Sequence, residues 1–467
     1  MSELPSELQT VNADGTRNWL HPRVAAGKFW RARRVVAYGL IALFVALPFI
    51  KINGRPAFLI DLITREVDLL GARFRPSDGL LLMLLGLGIV LTVFFVTAMF
   101  GRVWCGWGCP QTVWLEYVFR PLDRLFEGNA SQQRALDGKL APRRILKWLA
   151  YLVIAGVLAN VFLAYFVGVD RLRTWVIDSP GQHPGAFAVV LGVTALMWLD
   201  FAILREQVCI VACPYGRLQS VLLDRQSLIV GYDATRGEPR GKPATKKSLP
   251  VINEPAPRGD CVDCGACVAV CPTGIDIRNG LQLECVGCAQ CIDACTPVMA
   301  KLGRPAGLIR YTSQDELAGK VRRLLRPRTI IYPALLVSVI GLLIYIGGSR
   351  GSAELWVERV EGVPFVALAD GRIGAQAHIA IEHRGDAAAT YDLAIVDAPD
   401  AVLRGAASWP MRPGQLLPIT LMIDVPGASF VGGRRDIKLR VTSAGGFDQT
   451  LVIPLLGPEH ASTGDAL

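Results

Sequence analysis

Eight of the twelve cysteines in this 467-residue chain stand in two matched runs. Cys261, Cys264, Cys267 and Cys271 follow the spacing C-x2-C-x2-C-x3-C, with Pro272 next, and Cys285, Cys288, Cys291 and Cys295 repeat it. Three thiolates two residues apart can wrap one iron-sulfur cubane corner by corner, while the fourth reaches across to the neighbouring cluster. The spacing therefore assigns Cys261, Cys264, Cys267 and Cys295 to one [4Fe-4S] cluster and Cys285, Cys288, Cys291 and Cys271 to a second. Zinc competes, because two C-x2-C pairs also fit a zinc ribbon, but zinc takes four ligands and leaves a second matched set unexplained. The second run departs from the first in that Thr296 stands between Cys295 and Pro297. That is expected to alter the local turn without removing a ligand.

The other four cysteines form a fainter pattern. Cys105 and Cys109, then Cys209 and Cys213, are C-x3-C pairs, each followed by proline (Pro110, Pro214) and each a few residues beyond an arginine (Arg102, Arg205). They read as an internal repeat whose halves converge on one site. A proline interior to a helix clashes with the carbonyl four residues back, so each pair is expected in a turn that starts a following helix. The same C-x3-C-P spacing occurs from Cys267 to Pro272, which leaves room for a further iron-sulfur site. Thiolates also suit Cu(I), a soft cation. Buried packing of free cysteines and a disulfide are the remaining readings.

These thiols need elements to hold them, and composition says what kind. Charged residues make up 19% and mean hydropathy is +0.37, which excludes a disordered chain and argues against an ordinary soluble enzyme. The apolar residues gather in runs. Residues 79–100, 148–169 and 329–348 carry no charge and are long enough to cross a ~30 Å hydrocarbon core as helices. Residues 35–50 and 185–204, the latter interrupted by Asp200 near one end, make five spans. Segments 1–34, 101–147 and 205–328 hold 6, 8 and 18 Lys and Arg, against 5, 2 and 10 in the segments between and after them. The excess puts the N-terminus and both cysteine regions on the cytoplasmic side and the C-terminus outside. Topology thus accounts for the net charge of +9, and nucleic acid is not expected as a partner. Twelve cysteines at metal-ligand spacings are not a disulfide scaffold, and point to a reducing compartment. No small-residue cleavage site follows the first apolar run, so the N-terminus does not read as a cleavable signal.

The division follows: a cytoplasmic segment 1–34, a four-helix membrane region 35–204 with a CP motif at 105–110, and a second CP motif and linker at 205–257. A double-cluster domain at 258–312, a basic connector at 313–328, a fifth span at 329–348 and an outer domain at 349–467 complete it. The Pro-, Gly- and Lys-rich stretch from Thr235 reads as an extended connector to a separate domain. Beyond residue 348, short alternating stretches such as AQAHIAIEH, LPITLMIDV and DIKLRVT, broken by Gly, Pro and Asp turns, predict a small β-sandwich. It contains no cysteine, so it is poorly equipped to carry electrons. His378 and His383 are five apart in one strand and should point to opposite faces, Met411 and Met422 read as ordinary sandwich residues, and His183 is expected to lack a partner.

The segments GRVWCGWGCPQTVW, REQVCIVACPYGRLQSVLLD and GDCVDCGACVAVCPTGIDIRNGLQLECVGCAQCIDAC, with GYDATRGEPRG and the early GRPAFLIDL, resemble the cytochrome c oxidase accessory proteins of the CcoG/FixG/RdxA type. The resemblance spans nearly the whole chain. It implies a multi-span α-helical protein of the bacterial inner membrane with a cytoplasmic ferredoxin-like 2[4Fe-4S] insert and a periplasmic, immunoglobulin-like C-terminal β-sandwich. The implied activity is reduction of Cu(II) to Cu(I) for the copper centre of cbb3-type oxidases, with Cys105, Cys109, Cys209 and Cys213 as the catalytic, copper-linked motif. Implied partners are a copper exporter, a copper chaperone and oxidase assembly factors, besides a cytoplasmic electron donor that the sequence does not name. Relatives with similar CP pairs act as quinol-side electron carriers, and a non-catalytic assembly scaffold is the third reading.

Overall fold

A computed structural model describes residues 17–75, 78–241, 259–321, 323, 325–358, 363–385 and 387–458. Five helices in it are long and apolar enough to cross a membrane: Lys28–Phe49, Gly79–Phe100, Pro142–Val167, Pro184–Leu204 and Pro327–Gly348. The second matches the run expected from sequence. The first and third begin earlier than expected, because basic residues near their starts have partners within the protein. Arg33 is buried with its Nε donating to Gly106 O at 2.8 Å, and Lys147 is buried between Asp123 (3.3 Å) and Glu127 (2.9 Å). The fourth span is α-helical over Pro184–Leu199 and finishes in a π-turn, Asp200–Leu204.

Residues 51–74, between the first two spans, form strands that the sequence reading did not include. A hairpin pairs Lys51–Ile52 with Arg55–Pro56 around Asn53 and Gly54, both at positive φ, as a two-residue Asn-Gly turn requires. Phe58–Asp61, Glu66–Leu69 and Ala72–Phe74 make an antiparallel sheet beside it.

The cysteine-rich insert is not separate from the membrane region: residues 1–344 form one compact unit. It includes the strand Ile229–Tyr232, well before residue 258, and this strand pairs antiparallel with Ile309–Thr312. The early part of the expected linker is folded as well, with Arg236 bonded to Asp260 at 2.5 Å, while residues 242–258 lie outside the described residues. The expected connector 313–328 includes a helical turn, Gln314–Leu317, closed by a capping box between Ser313 and Glu316. Pro297 does not create a turn after Cys295. It sits inside the helix Gln290–Lys301, where the Thr296 hydroxyl donates to Ile292 O at 2.8 Å.

Residues 345–467 form a second unit. One of its sheets runs in the order Val402–Arg404, Leu416–Pro426, Arg372–His383, Ala353–Glu358, with Phe365–Ala367 also on Arg372–His383. The other runs Ser408–Met411, Ala389–Ile395, Arg434–Ser443, Asp448–Leu456. Alternate residues such as Ile437, Leu439 and Val441 face Ile379, Ile381 and Ile423 in one shared core. His383 is buried, its Nδ1 2.7 Å from Tyr391 OH and its Nε2 2.6 Å from Ala387 O. His183, in the first unit, does have partners, contrary to expectation. Its ring stacks on Trp175 at 4.8 Å and its Nε2 lies 3.3 Å from Asp178.

Candidate redox centre

Both long cysteine runs use the same backbone device. The residues on either side of each middle cysteine are left-handed: Asp263 and Gly265 around Cys264, Gly287 and Ala289 around Cys288. The reversals curl each run into a concavity, and Gly265 and Ala289 then start the helices that carry Cys267 and Cys291 in their first turns. All twelve thiols are free.

The eight insert thiols fall into two neighbourhoods. Cys295 is within electrostatic reach of Cys261, Cys264 and Cys267. Cys291 is within reach of Cys271, Cys285 and Cys288, and of Cys267 from the other group. Cys271, Cys285, Cys288 and Cys291 line one cavity, walled by Val230, Ile275 and Val286, and Cys267 of the other group reaches its edge. Burial pushes the Cys267 and Cys288 thiols up to about 12 and Cys285 and Cys295 up to about 11, so ligation has to displace their protons.

The surroundings fit an anionic iron-sulfur group. Arg33 acts on Cys288, is 1% exposed, and has two guanidinium nitrogens without a hydrogen-bond partner. Arg102 acts on Cys285 and Cys105, and its buried Nε likewise has none. Buried cations left in this way call for a negative charge among them. A [4Fe-4S] cluster held by four thiolates supplies that charge and one-electron redox chemistry.

The two CP pairs come together. Span two ends at Gly101 (φ 61°, ψ −136°) and span four at Arg205 (φ 53°, ψ −120°), the same reversal in both halves. Four residues on stand Cys105 and Cys209, each in a short helical turn. Cys109 N bonds Trp104 O at 2.8 Å and Cys213 N bonds Val208 O at 2.8 Å. Cys109 and Cys213 then lead, with Pro110 and Pro214 in the first position, into the helices Pro110–Trp114 and Pro214–Leu222. The halves are cross-tied. Cys105 Sγ donates to Gln219 Oε1 at 3.0 Å, and Gln111 Nε2 donates to Asp200 Oδ1 at 2.7 Å and Arg205 O at 3.0 Å. Cys209 lies within electrostatic reach of Cys109, Cys105 and Cys213, and burial pushes its thiol up to about 12.

The first CP loop is pressed against the second insert run. Cys105, Val286 and Cys288 share a small apolar core with Tyr215. Trp107 Nε1 donates to Tyr311 OH at 3.2 Å, and Tyr311 OH donates to Gly287 O at 2.8 Å. On the other side, Arg120 Nη2 donates to Pro272 O at 3.1 Å, next to Cys271, and Arg205 bonds Asp123 at 2.6 Å. Among the described residues, no three His, Cys, Asp or Glu side chains stand close enough to grip a single metal ion.

Comparison with known proteins bears on this architecture. A family described as "4Fe-4S dicluster domain" matches residues 204–314, and one described as "4Fe-4S binding domain" matches residues 82–128. Protein RdxA of Cereibacter sphaeroides is 33% identical, covering 92% of this chain and 94% of its own length. The chain belongs to the CcoG/FixG/RdxA family. Nitrogen fixation protein FixG of Rhizobium meliloti is 31% identical over 93% of each chain. The ferredoxin-type protein NapH of Haemophilus influenzae is 25% identical over 58% of this chain and 88% of its own. The chain is accordingly an iron-sulfur electron-transfer protein with membrane helices. Sequence reasoning missed Arg33, Gln111 and Gln219, which touch the thiol loops only through tertiary contacts, and no local spacing marks them.

Proposed function

We propose that this protein reduces Cu(II) to Cu(I) at the bacterial inner membrane for assembly of the copper centre of a cbb3-type oxidase. In this reading Cys261, Cys264, Cys267 and Cys295 ligate one [4Fe-4S] cluster and Cys271, Cys285, Cys288 and Cys291 the other. The insert is cytoplasmic, and the C-terminal unit is a periplasmic, immunoglobulin-like sandwich. Cu(II) takes up one electron beside the loops that carry Cys105, Cys109, Cys209 and Cys213. A copper exporter or chaperone, which binds Cu(I) through soft ligands, then receives it. The observation that carries the reading is the packing of Cys105 with Val286 and Cys288 in one core, which gives an electron a short way from insert to CP loop.

The test is anaerobic. Cu(II) is added to chemically reduced protein, and loss of reduced-cluster signal is followed together with Cu(I) trapped by a chelator. One Cu(I) per electron lost is expected, and no Cu(I) from intact protein removes the copper reading. If Cys264→Ala and Cys288→Ala chains accumulate and still support oxidase maturation, the protein acts as a scaffold instead.

A second reading, a quinol-linked electron carrier, is favoured by one feature. An apolar cavity of about 420 Å³ opens between the second and fifth spans and reaches Trp104 and Tyr215, the latter bonded to Gln219 and through it to Cys105. Quinol-dependent reduction of a periplasmic acceptor by membranes containing the protein, without Cu(I) formation, would select it.

A further inference from the structure

We propose that Cys105, Cys109, Cys209 and Cys213 together hold a third [4Fe-4S] cluster, two ligands coming from each half of the duplicated CP motif. Three independent observations carry this. The first is the duplication. Residues 101–110 recur 104 positions later as 205–214, with the same backbone reversal at Gly101 and Arg205 and the same bond from Cys109 N to Trp104 O and from Cys213 N to Val208 O. Cross-ties through Gln219 and Gln111 hold the two halves together, and the four thiols lie within electrostatic reach of one another.

The second is arithmetic. The "4Fe-4S binding domain" family matches residues 82–128, a stretch with only two cysteines, Cys105 and Cys109. A cubane ligated by protein thiolates takes four. The matching pair, Cys209 and Cys213, stands in the other half, 104 residues on.

The third concerns spacing. A single ion draws its thiolates in on bonds of about 2.3 Å, as zinc does, whereas a cubane offers a separate iron to each thiolate. The CP thiols sense one another electrostatically, yet no three of them stand at single-ion distance, and the eight insert thiols behave in the same way. Arg102, 8% exposed with an unpartnered Nε and acting on Cys105, provides the countercharge that an anionic cluster requires.

The inference builds on the iron-sulfur part of the proposed function and not on copper as the substrate. It changes what copper meets: a redox cluster at the membrane face rather than bare thiols. The full chain, purified anaerobically, should contain about twelve iron and twelve sulfide, against about eight of each for two clusters. Cys105→Ala and Cys209→Ala, one from each half, should each bring the count down to about eight and remove one of three spin systems in the reduced protein, leaving the other two unchanged. A parent count of eight, or single variants that leave the count where it was, overturns the proposal. Eight iron with one copper that Cys209→Ala abolishes would mark the quartet as a copper site and equally overturn it. Should an alanine variant not accumulate, Cys109→Ser and Cys213→Ser give the same reading, and Mössbauer integration of the parent counts iron without any substitution. Failure of Cu(II) reduction would leave the count of twelve standing, so the two ideas fall separately.

Discussion

Gly106 lies flush against Cys288: a β-carbon at Gly106 would stand 3.0 Å from Cys288 Cα and N and 2.7 Å from Val286 O. The contact is mutual, since one on Gly287 would come within 3.3 Å of Arg102 O. The CP loop and the second cysteine run are therefore joined backbone to backbone, with no side chain between them.

Gly106→Val tests whether this closeness matters. The added methyls cannot fit without parting the loops, and overpacking of this kind costs about 1 to 3 kcal/mol. Lower thermal stability is expected, together with slower oxidation of the reduced insert by an acceptor that reads the CP side. Unchanged stability and rate would show that the loops separate freely.

How much of this was legible beforehand depends on the range of each contact. The cysteine runs are local, and their left-handed residues fall on either side of the middle cysteine, so spacing alone delimited both groups. The apolar runs were legible for a similar reason. The beginnings of the first and third spans were not, because Arg33 and Lys147 read as surface cations until Gly106 O, Asp123 and Glu127 appear beside them. Strand Ile229–Tyr232 has no signature without its partner, some eighty residues later. The Asn53-Gly54 hairpin, in contrast, carried a recognisable turn dipeptide that was overlooked among the spans. Asp293 is the plainest case of a hidden role. Lying between Cys291 and Cys295, it accepts from Phe29 N at 3.1 Å and Trp30 N at 2.6 Å and so caps the first span.

Arg33 should set a potential. A cation beside Cys288 favours the more negative, reduced state of any group held there, so Arg33→Met should lower the reduction potential of one insert cluster. A shift on the order of 60 mV corresponds to tenfold in a one-electron equilibrium. EPR-monitored redox titration checks it. Arg33→Lys keeps the charge and should restore most of the potential, whereas equal shifts in both variants would point to the lost bond to Gly106 O instead.

Asp123 ties the CP region to the third span and gives a pH dependence. Burial opposes its ionisation, but Arg205 and Lys147, with the Tyr151 hydroxyl at 2.7 Å, hold its carboxyl down at about 2. An unfolded aspartate titrates near 3.9, so this carboxylate contributes stability above about pH 4 that is lost as pH falls toward 2. Thermal unfolding in detergent should show that decline in the parent. In Asp123→Asn the slope between pH 4 and 2 should flatten, and stability at neutral pH should drop by about 3 to 5 kcal/mol, because buried Arg205 loses the carboxylate 2.6 Å from it, while Lys147 keeps Glu127. A slope that survives the substitution would assign the acid sensitivity to other carboxylates.

The last expectation concerns sidedness, which decides whether the thiols meet a reducing environment. Three segments, including both cysteine regions, carry 6, 8 and 18 basic residues, and the short segments opposite them carry 5 and 2. Lys and Arg near span ends resist translocation, so the richer set is expected on the cytoplasmic side. With five spans the C-terminal unit, with 14 acidic residues against 10 basic and no cysteine, is then expected on the opposite side. A reporter active only outside the cytoplasm should work when fused after Leu467 and fail when fused within residues 225–255. An odd number of crossings requires the two fusions to disagree. Activity at both positions would remove a span, and the reverse pattern would put the cluster-binding cysteines on the oxidising side, where thiols at this spacing would tend to disulfides rather than to iron.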